Sequence, residues 1–297
     1  MKERGETTLQ VLAKAKINLA LHVTGVLPNG LHSLDSLVAF PEVGDTLTFE
    51  EAEGLSLTVK GPFGPELLEA NKNSKNLVMS AAQLMMGPGN GVSISLIKNL
   101  PLASGIGGGS SDAASTLRAL ATIWNKSIPD YTDILKLGSD VPVCLSYAFQ
   151  RLQGIGDQLT QLPLPSLMWI VLVNPGIQVP TSKIFSLLEN KINQPLERLG
   201  NLDNKSSFFD YLKRQRNDLQ GVTCKLFPEV KNLLEFLTDT EHCKLARMSG
   251  SGATCFGLYS EKSYAVNAAK SVKNVFPDFW VEHTKLFSSN SRNNEVS

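Results

Sequence analysis

The sequence predicts an α+β protein built from two domains. Three observations support this prediction: roughly the first 65 residues show strand patterns, the next stretch changes to helical periodicity, and a breaker-rich segment near residues 155–165 precedes a second run of strands and helices. A chain of 297 residues is long enough for two domains with separate cores. We place the domains at residues 1–158 and 159–287 and expect the polar tail, 288–297, to be disordered.

The N-terminal part is predicted to consist mainly of strands. TLQVLAKAKINLALHV alternates and then becomes continuously apolar, and Pro28–Gly30 follows as a turn. Further strands are predicted for SLDSLVAF, DTLTFEEA and LSLTVKG. On the first strand Lys14, Lys16 and Asn18 share one face, which suits either a polar edge of a sheet or an anionic ligand.

The periodicity then becomes helical. Asn76–Met86 fits a buried helix, VSISLIKN fits a strand, and Tyr131–Leu137 fits a short helix before GSDVPVC. A glycine-rich loop also runs into a helix, whose apolar residues recur at spacings of three and four: Ala113, Leu117, Leu120, Ala121 and Trp124.

The second domain shows the order strand, helices, strand, strand, helix, strand. This order is typical of the ferredoxin-like split βαβ sandwich. The predicted elements are the strand MWIVLVNP, the helix TSKIFSLLENK, helices over 208–237 with a break near Pro228, a hairpin of KLARMS and TCFGLYS around Gly250–Ala253, the helix KSYAVNAAKSVKNVF and the strand FWVEHTKLF.

Composition and charge exclude several classes of function. Twenty-eight basic and 28 acidic residues cancel, so no global field favours nucleic acid or anionic lipid. No apolar run reaches the ~18 residues of a membrane span, and MKERGETTLQV lacks the apolar segment of a secretory signal, so we expect a cytoplasmic protein without nucleic-acid or membrane partners. The four cysteines and four histidines show no metal-site spacing, and we expect reduced, structural thiols.

The strongest local signal is the glycine-rich stretch Gly105–Asp112. Four glycines in five positions allow main-chain N–H groups to turn towards one point, and Ser110, Ser111 or Asp112 could cap the helix that follows. The start of that helix favours an anion, so the stretch predicts a phosphate cradle. The alternative is a flexible loop that happens to precede a helix. Walker, Rossmann and protein-kinase signatures are absent from the sequence.

Two weaker signals lie further along the chain. Asp140, in GSDVPV, is either a turn or cap residue or a functional carboxylate. Arg247–Ala253, RMSGSGA, is either an ordinary tight hairpin turn or a second anion-facing loop.

Taken in order, AKIN, LPLASGIGGGSSDAA and RMSGSGA resemble the three motifs of the GHMP small-molecule kinases over nearly the whole chain. The resemblance implies a ribosomal-S5-domain-2-like N-terminal domain, a ferredoxin-like C-terminal domain, and the cofactors ATP and Mg²⁺, the protein ligands of the metal being unknown. The residues it assigns to ATP are Pro101, Leu102, Ala103, Ser104, Gly105, Ile106, Gly107, Gly108, Gly109, Ser110 and Ser111.

Three further segments are similar to the corresponding segments of those family members that phosphorylate a cytidine-diphosphate-linked methylerythritol. These segments are NGLHSL, GSDVPV and NPG…PTSKIF. That similarity implies catalysis by Lys16 and Asp140 and substrate binding by Asn18, His32, Thr181 and Phe185. Leu31 departs from the family, which usually has a tyrosine before the histidine, so we expect weaker stacking on one side of the cytosine.

Two alternatives stay open. A homoserine- or mevalonate-type kinase would share the ATP loop without needing His32 or Phe185. A non-catalytic RNA- or nucleotide-binding module is also conceivable on an S5-like fold, although zero net charge and the presence of Lys16 and Asp140 argue against it. We expect a small-molecule partner and a monomer or weak homodimer.

Overall fold

The computed structural model describes residues 8–72, 74–163, 165–200 and 204–287, so the predicted tail lies outside the described residues. Its strands are β1 (Leu9–Lys14), β2 (Ile17–Val26), β3 (His32–Ala39), β4 (Gly44–Glu51), β5 (Leu55–Lys60), β6 (Val92–Ile97), β7 (Gln150–Gly154), β8 (Gln158–Gln161), β9 (Trp169–Asn174), β10 (Leu245–Met248), β11 (Cys255–Tyr259) and β12 (Trp280–Lys285). Its helices are α1 (Gly64–Ala70), α2 (Leu77–Met85), α3 (Gly108–Ile123), α4 (Tyr131–Leu137), α5 (Val141–Cys144), α6 (Thr181–Ser186), α7 (Lys205–Arg214), α8 (Gln220–Leu226), α9 (Pro228–Asp239) and α10 (Lys262–Val275).

The chain forms two compact units, each made of separate stretches. Of the described residues, the first unit holds those up to Ala15, those of Val43–Leu102 and Gly107–Tyr147, and the second holds Lys16–Glu42, Ala103–Ile106 and those from Ala148 to Phe287. The glycine-rich loop therefore contributes to both units. Because these units are discontinuous in sequence, they do not test a single domain boundary, and the division at 158/159 stays a prediction.

The first unit is built on a mixed sheet in the order β1-β4-β6-β5. β4 is antiparallel to β1 and β6, whereas β5 runs parallel to β6 and reaches it through α1 and α2. Alternating residues of β4 and β6 are fully buried, as expected where side chains point to opposite faces of a sheet. The apolar face predicted for α3 is buried at Ala113, Leu117 and Leu120.

The second unit contains two antiparallel sheets. β2, β3, β7 and β8 lie side by side in that order, and the other sheet has the order β10-β11-β9-β12. Helices α6 to α9 connect β9 to β10, and α10 connects β11 to β12. This is the topology of the ferredoxin-like sandwich, so the prediction for the second domain is confirmed.

Four local features differ from the predictions. The single N-terminal strand is two strands, because Ala15 N–H bonds the Val43 carbonyl and Lys16 N–H bonds that of Ile106, each at 2.8 Å. α1 was not expected, and the breaker-rich segment contains β8 together with the turn that joins it to β7, where Gly154 and Gly156 have positive φ. The helix beginning at Thr181 ends at Ser186 rather than near residue 191.

None of the helices in the described part of the chain has both the length and the apolar composition that crossing a bilayer requires.

Candidate functional site

The glycine-rich loop ends in the first unit, at the start of α3. Gly107 is the N-cap with a φ of 63°, and no side chain caps the helix. The first intrahelical bond runs from Ser111 N–H to the Gly107 carbonyl at 2.9 Å, so the preceding N–H groups have no acceptor within the helix. The predicted capping by Ser110, Ser111 or Asp112 is therefore wrong, since these residues lie inside the first two turns. An uncapped start leaves donors and the positive end of the helix dipole for an anion.

Steric and backbone requirements explain the glycines near this helix start. Gly105 and Gly107 have positive φ values of 77° and 63°. A Cβ on Gly105 would lie 2.5 Å from the Ser249 carbonyl oxygen, and one on Gly108 would lie 3.1 Å from Lys98 Nζ. The loop is therefore packed closely against its neighbours within each unit, which does not suit the alternative of a merely flexible connection.

A buried charge cluster lies beside the start of α3. Lys98 Nζ donates to Asp112 Oδ2 at 2.7 Å and to Asp45 Oδ2 at 2.5 Å, and all three side chains are at most 3% exposed. Asp45 Oδ1 accepts the backbone N–H groups of Asn99 and Leu100 at 2.6 and 2.9 Å. Lys98 and Asp45 were not among the predicted functional residues. The available signal was a charged residue at one end of a buried strand, since Asp45 lies near the start of β4 and Lys98 directly follows β6.

The first half of the loop belongs to the second unit, where it touches the two other motifs. The hydrogen bonds run from Lys16 N–H to the Ile106 carbonyl (2.8 Å), from Ser249 Oγ to the Gly105 carbonyl (2.9 Å), from Thr254 N–H to the Ser104 carbonyl (3.1 Å) and from Asn18 N–H to Ser249 Oγ (3.1 Å). The second unit thus brings parts of AKIN, the glycine-rich loop and RMSGSGA together, as the resemblance implies.

Lys16 and Asn18 lie at the start of β2 with their side chains largely inaccessible to solvent, at 6% and 3%. Asn18 Nδ2 donates to Ser36 Oγ at 2.8 Å, while Asn18 Oδ1 has no partner. The β2–β3 register shifts between Asn18 and Ala20, and such a bulge re-aims side chains next to a site. Lys14, the other lysine of the predicted polar face, instead lies in the first unit, with its ammonium 5.4 Å from the centroid of the Tyr147 ring.

His32 and Phe185 form an aromatic pair in the second unit. Their ring centroids are 4.8 Å apart at an interplanar angle of 35°. Burial, with a smaller effect from the charge of Lys191, lowers the pKa of His32, so the ring is neutral at pH 7. Its Nε2 atom is buried without a hydrogen-bond partner. A neutral ring with one unused nitrogen can form a hydrogen bond with the edge of a planar polar ligand.

Thr181 links this pair to the glycine turn after β10. Thr181 and Phe185 are four residues apart on α6 and therefore lie on one face of that helix. The Thr181 hydroxyl is 2.8 Å from that of Ser251. The substrate-binding candidates of the second unit are thus connected to the turn that also contacts Gly105.

Asp140 lies in the first unit, as the N-cap residue of α5. A Cβ built on Gly138, two residues earlier, would be 3.8 Å from Ser110 Oγ, so this segment lies beside the start of α3. Arg118 of α3 donates to the carbonyls of Cys144 and Leu145, at 3.0 and 2.8 Å, and so holds the other end of α5.

The structure distributes the predicted site residues over both units. The first unit contains Asp140, Pro101, Leu102 and Gly107–Ser111, and the second unit contains the remaining candidates. The pairing of Lys16 with Asp140 therefore stays a prediction. Ile106 has a fully buried side chain, so only its backbone is available to a ligand.

Buried polar atoms without partners coincide with the predicted motifs. Among the described residues these atoms are Asn18 Oδ1, His32 Nε2, Ser111 Oγ and Asp112 Oδ1. Because nearly all buried polar groups in proteins are hydrogen-bonded, such exceptions require an explanation, and a polar ligand is one. The described residues also contain no group of three or more His, Cys, Asp or Glu side chains that is arranged to hold a metal ion.

Family models match most of both predicted domains. The model of the GHMP kinases N-terminal domain matches residues 76–161, and that of the GHMP kinases C-terminal domain matches residues 186–278.

Curated relatives match nearly the full chain. The 4-diphosphocytidyl-2-C-methyl-D-erythritol kinase of Cereibacter sphaeroides (strain ATCC 17025) is 45% identical over 280 residues, which covers 93% of this chain and 99% of that protein. The protein of the same name from Ruegeria pomeroyi is 44% identical over 281 residues, covering 94% and 99% of the two chains.

Solved structures agree with these matches. A crystal structure of 4-(cytidine 5'-diphospho)-2C-methyl-D-erythritol kinase superposes with a TM-score of 0.77 at 30% identity, covering 94% of this chain and all of that one. The mevalonate kinase of L. major in complex with R-mevalonate gives a TM-score of 0.66 at 14% identity, covering 97% and 98% of the two chains, and this likeness concerns the fold alone.

Proposed function

Because the chain belongs to the GHMP kinase family, we propose that it transfers the γ-phosphoryl group of ATP to the 2-hydroxyl of 4-(cytidine 5'-diphospho)-2-C-methyl-D-erythritol, a step of the non-mevalonate route to isoprenoids. Curated relatives at about 45% identity carry this kinase activity in their names. The structural observation that carries the proposal is the glycine-rich loop, whose first half contacts the two other family motifs and whose second half opens an uncapped helix.

The loop supports binding of the triphosphate. N–H groups at the start of α3 and the hydroxyl of Ser110 are suitable donors to phosphate oxygens, and the helix dipole favours their negative charge. Ser111 Oγ lies at the same helix start but is fully buried, whereas Ser110 is partly exposed, so Ser110 supplies the accessible hydroxyl. We therefore assign the phosphates of ATP to Gly107–Ser111, with the backbone of Ala103–Ile106 completing the loop.

Mg²⁺ fits as an ion held chiefly by the nucleotide. The described residues contain no carboxylate cage, and Mg²⁺ bound to phosphates keeps several waters and needs few protein ligands. When bound, the ion would neutralise phosphate charge. We assign no protein ligand to it.

The cytidine part of the substrate is assigned to the His32–Phe185 pair. A neutral imidazole with an unused nitrogen can hydrogen-bond the polar edge of cytosine, while the Phe185 ring offers a stacking face. Asn18 Oδ1 and the Thr181 hydroxyl supply further polar contacts along the same connected set of residues.

Catalysis is assigned to Lys16 and Asp140. Phosphoryl transfer develops negative charge on the peripheral oxygens, so a cation near the transferred group lowers the barrier. We propose that Lys16 supplies this charge and that Asp140 accepts the proton of the attacking hydroxyl. The half-buried position of Asp140, beside the start of α3, supports its role near the phosphates.

The decisive experiment is a steady-state assay of Asp140→Asn with a substrate panel. General-base catalysis contributes about 10²–10⁴-fold, so kcat should fall by about that factor while ATP affinity is retained. Asp133→Asn, an exposed carboxylate paired with Lys136, is the matched control and should retain full turnover. Wild-type turnover in Asp140→Asn would remove Asp140 from the mechanism.

The same assay separates the alternative substrates. The cytidine-diphosphate substrate should be phosphorylated far faster than mevalonate or homoserine. Faster turnover of either of the latter would overturn the substrate assignment. RNA affinity that depends on salt, without any kinase activity, would favour the binding-module alternative.

A further inference from the structure

The buried cluster of Lys98, Asp45 and Asp112 joins the two chain segments that flank residues 101–111, the loop assigned to ATP. Asp45 Oδ1 binds the N–H groups of Asn99 and Leu100, directly before the loop. Lys98 Nζ binds Asp112 Oδ2 in α3, directly after it. The proposed mechanism uses none of these side chains, although they fix both ends of the nucleotide loop within the first unit.

The cluster does not balance its charges when both carboxyl groups are ionised. One ammonium then faces two carboxylates, and Asp112 Oδ1 is buried without a hydrogen-bond partner. Burial opposes this ionised state and raises the pKa of Asp112 to about 7, although Lys98 pulls in the other direction. For Lys98, burial lowers the pKa, but Asp112 and Asp45 outweigh it and keep the ammonium charged.

Asp112 lies close enough to the proposed anion site to sense it. It is four residues after Gly108, which corresponds to about 6 Å along the helix axis. Its carboxyl group faces Lys98 and Asp45, and α2 carries no titratable side chain. The other titratable groups on α3 and on the elements packed against it are Arg118 of α3, Lys14 of β1, Cys144 of α5 and the exposed Glu50 and Glu51 of β4, and the Tyr147 ring lies beside Lys14 and Arg118.

We propose that Lys98, Asp45 and Asp112 form a proton-linked positioning clamp for the nucleotide loop, in which Asp112 Oδ1 takes up one proton from solvent when the nucleotide phosphates bind. This inference rests on the proposed ATP site. The physical reason is that an anion at the start of α3 makes a further buried negative charge less favourable, and protonation removes that charge. Lys98 and Asp45 are then left as a neutral pair that keeps the loop ends together.

Under this proposal, the affinity for nucleotide decreases as the pH rises. Near pH 6 Asp112 is mostly protonated and opposes nucleotide binding least. As the pH rises through about 7, the carboxyl ionises in the free protein, so binding requires proton uptake and the affinity falls by up to about tenfold per pH unit. Asp112→Asn keeps the shape and a neutral side chain, so this part of the pH dependence should disappear.

The test is calorimetric titration of the full chain with ADP and Mg²⁺ at pH 7.5, in two buffers of different ionisation enthalpy. The number of protons taken up per bound ADP should be larger for the wild type than for Asp112→Asn, by a substantial fraction of one proton. Comparing the two proteins cancels the titration of the nucleotide's own phosphates. The exposed Asp130→Asn, from the same unit, should behave as wild type.

Equal proton uptake by wild type and Asp112→Asn would overturn the proposal. If the variant does not fold, difference infrared spectroscopy of the wild type replaces it: addition of ADP should increase the band of protonated carboxyl groups, and an unchanged band would contradict the clamp. Failure of wild type to bind any adenine nucleotide would instead refute the proposed ATP site.

Discussion

The two halves of the glycine-rich loop are stabilised by different kinds of interaction. In the second unit, Ser104–Ile106 is held by neutral hydrogen bonds from Lys16 N–H, Ser249 Oγ and Thr254 N–H. In the first unit, the start of α3 is tied to the other end of the loop by buried charges, through Lys98 and its two carboxylates. Neutral bonds of this kind do not change with pH, whereas the charge cluster can respond to protons and to bound phosphate. The stability of the half in the second unit should therefore not depend on pH, whereas that of the half in the first unit can change with protonation and with bound phosphate.

The largest effect is expected for Lys98→Met. Removing the ammonium leaves two buried carboxylates without their counter-charge, and breaking a buried ion pair costs about 3–5 kcal/mol. Urea denaturation at pH 8 should show this loss in the free energy of unfolding. Lys72→Met, which removes an exposed pair with Glu69, should cost less than about 1 kcal/mol. A loss below 1 kcal/mol in Lys98→Met would show that the cluster does not stabilise the first unit.

Ser249→Ala tests the half of the loop that is held by neutral hydrogen bonds. The Ser249 hydroxyl accepts the Asn18 N–H and donates to the Gly105 carbonyl, and its side chain is fully buried. Leaving these groups unpaired should destabilise the protein by about 1–3 kcal/mol. Because no charge is involved, the loss should be the same at pH 6 and pH 8. A strong pH dependence would contradict the contrast between the two halves.

Periodicity and motif order predicted much of this architecture. Local patterns gave the helical spacing of α3, the helix at Tyr131–Leu137 and the order of strands and helices along the second domain, from which the ferredoxin-like topology was predicted. The β7–β8 hairpin was missed because its strands are short and polar. Its turn glycines, Gly154 and Gly156, therefore resembled those of a linker.

Long-range partners explain what sequence analysis of the site missed. Lys98 and Asp45 are 53 residues apart, and neither belongs to a recognisable motif. The break between β1 and β2 depends on Val43 and Ile106, whose carbonyls lie in distant parts of the chain and accept hydrogen bonds from the adjacent N–H groups of Ala15 and Lys16. Motifs identify residues that contact ligands, whereas buried supports become visible only when the fold brings them together.

Asp112→Asn should change how stability varies with pH. In the wild type, burial raises the pKa of Asp112 to about 7, whereas an unfolded aspartate titrates near 3.9. The protonated carboxyl therefore contributes stability that is complete below about pH 4 and is lost as the pH rises towards 7. The asparagine variant lacks this loss, so its stability relative to wild type should improve between pH 5 and pH 8 by about 1–3 kcal/mol. Urea midpoints at the two pH values measure this change, and a constant difference would show that Asp112 does not titrate in this range.

The smallest effect is expected for Leu31→Tyr, a substitution in the second unit. Leu31 is 49% exposed and precedes His32, whose ring already packs against Phe185. An aromatic ring stacked on a base contributes about 1–3 kcal/mol, and leucine already supplies part of the apolar contact, so the gain should be below about 1 kcal/mol. Competition by CDP should therefore tighten by no more than about fivefold, with ATP affinity unchanged. Val275→Tyr, at an exposed apolar position at the end of α10, is the control and should have no effect on CDP binding. Weaker CDP binding in Leu31→Tyr would indicate that this position does not face the base, and would leave Phe185 as the aromatic partner assigned to it.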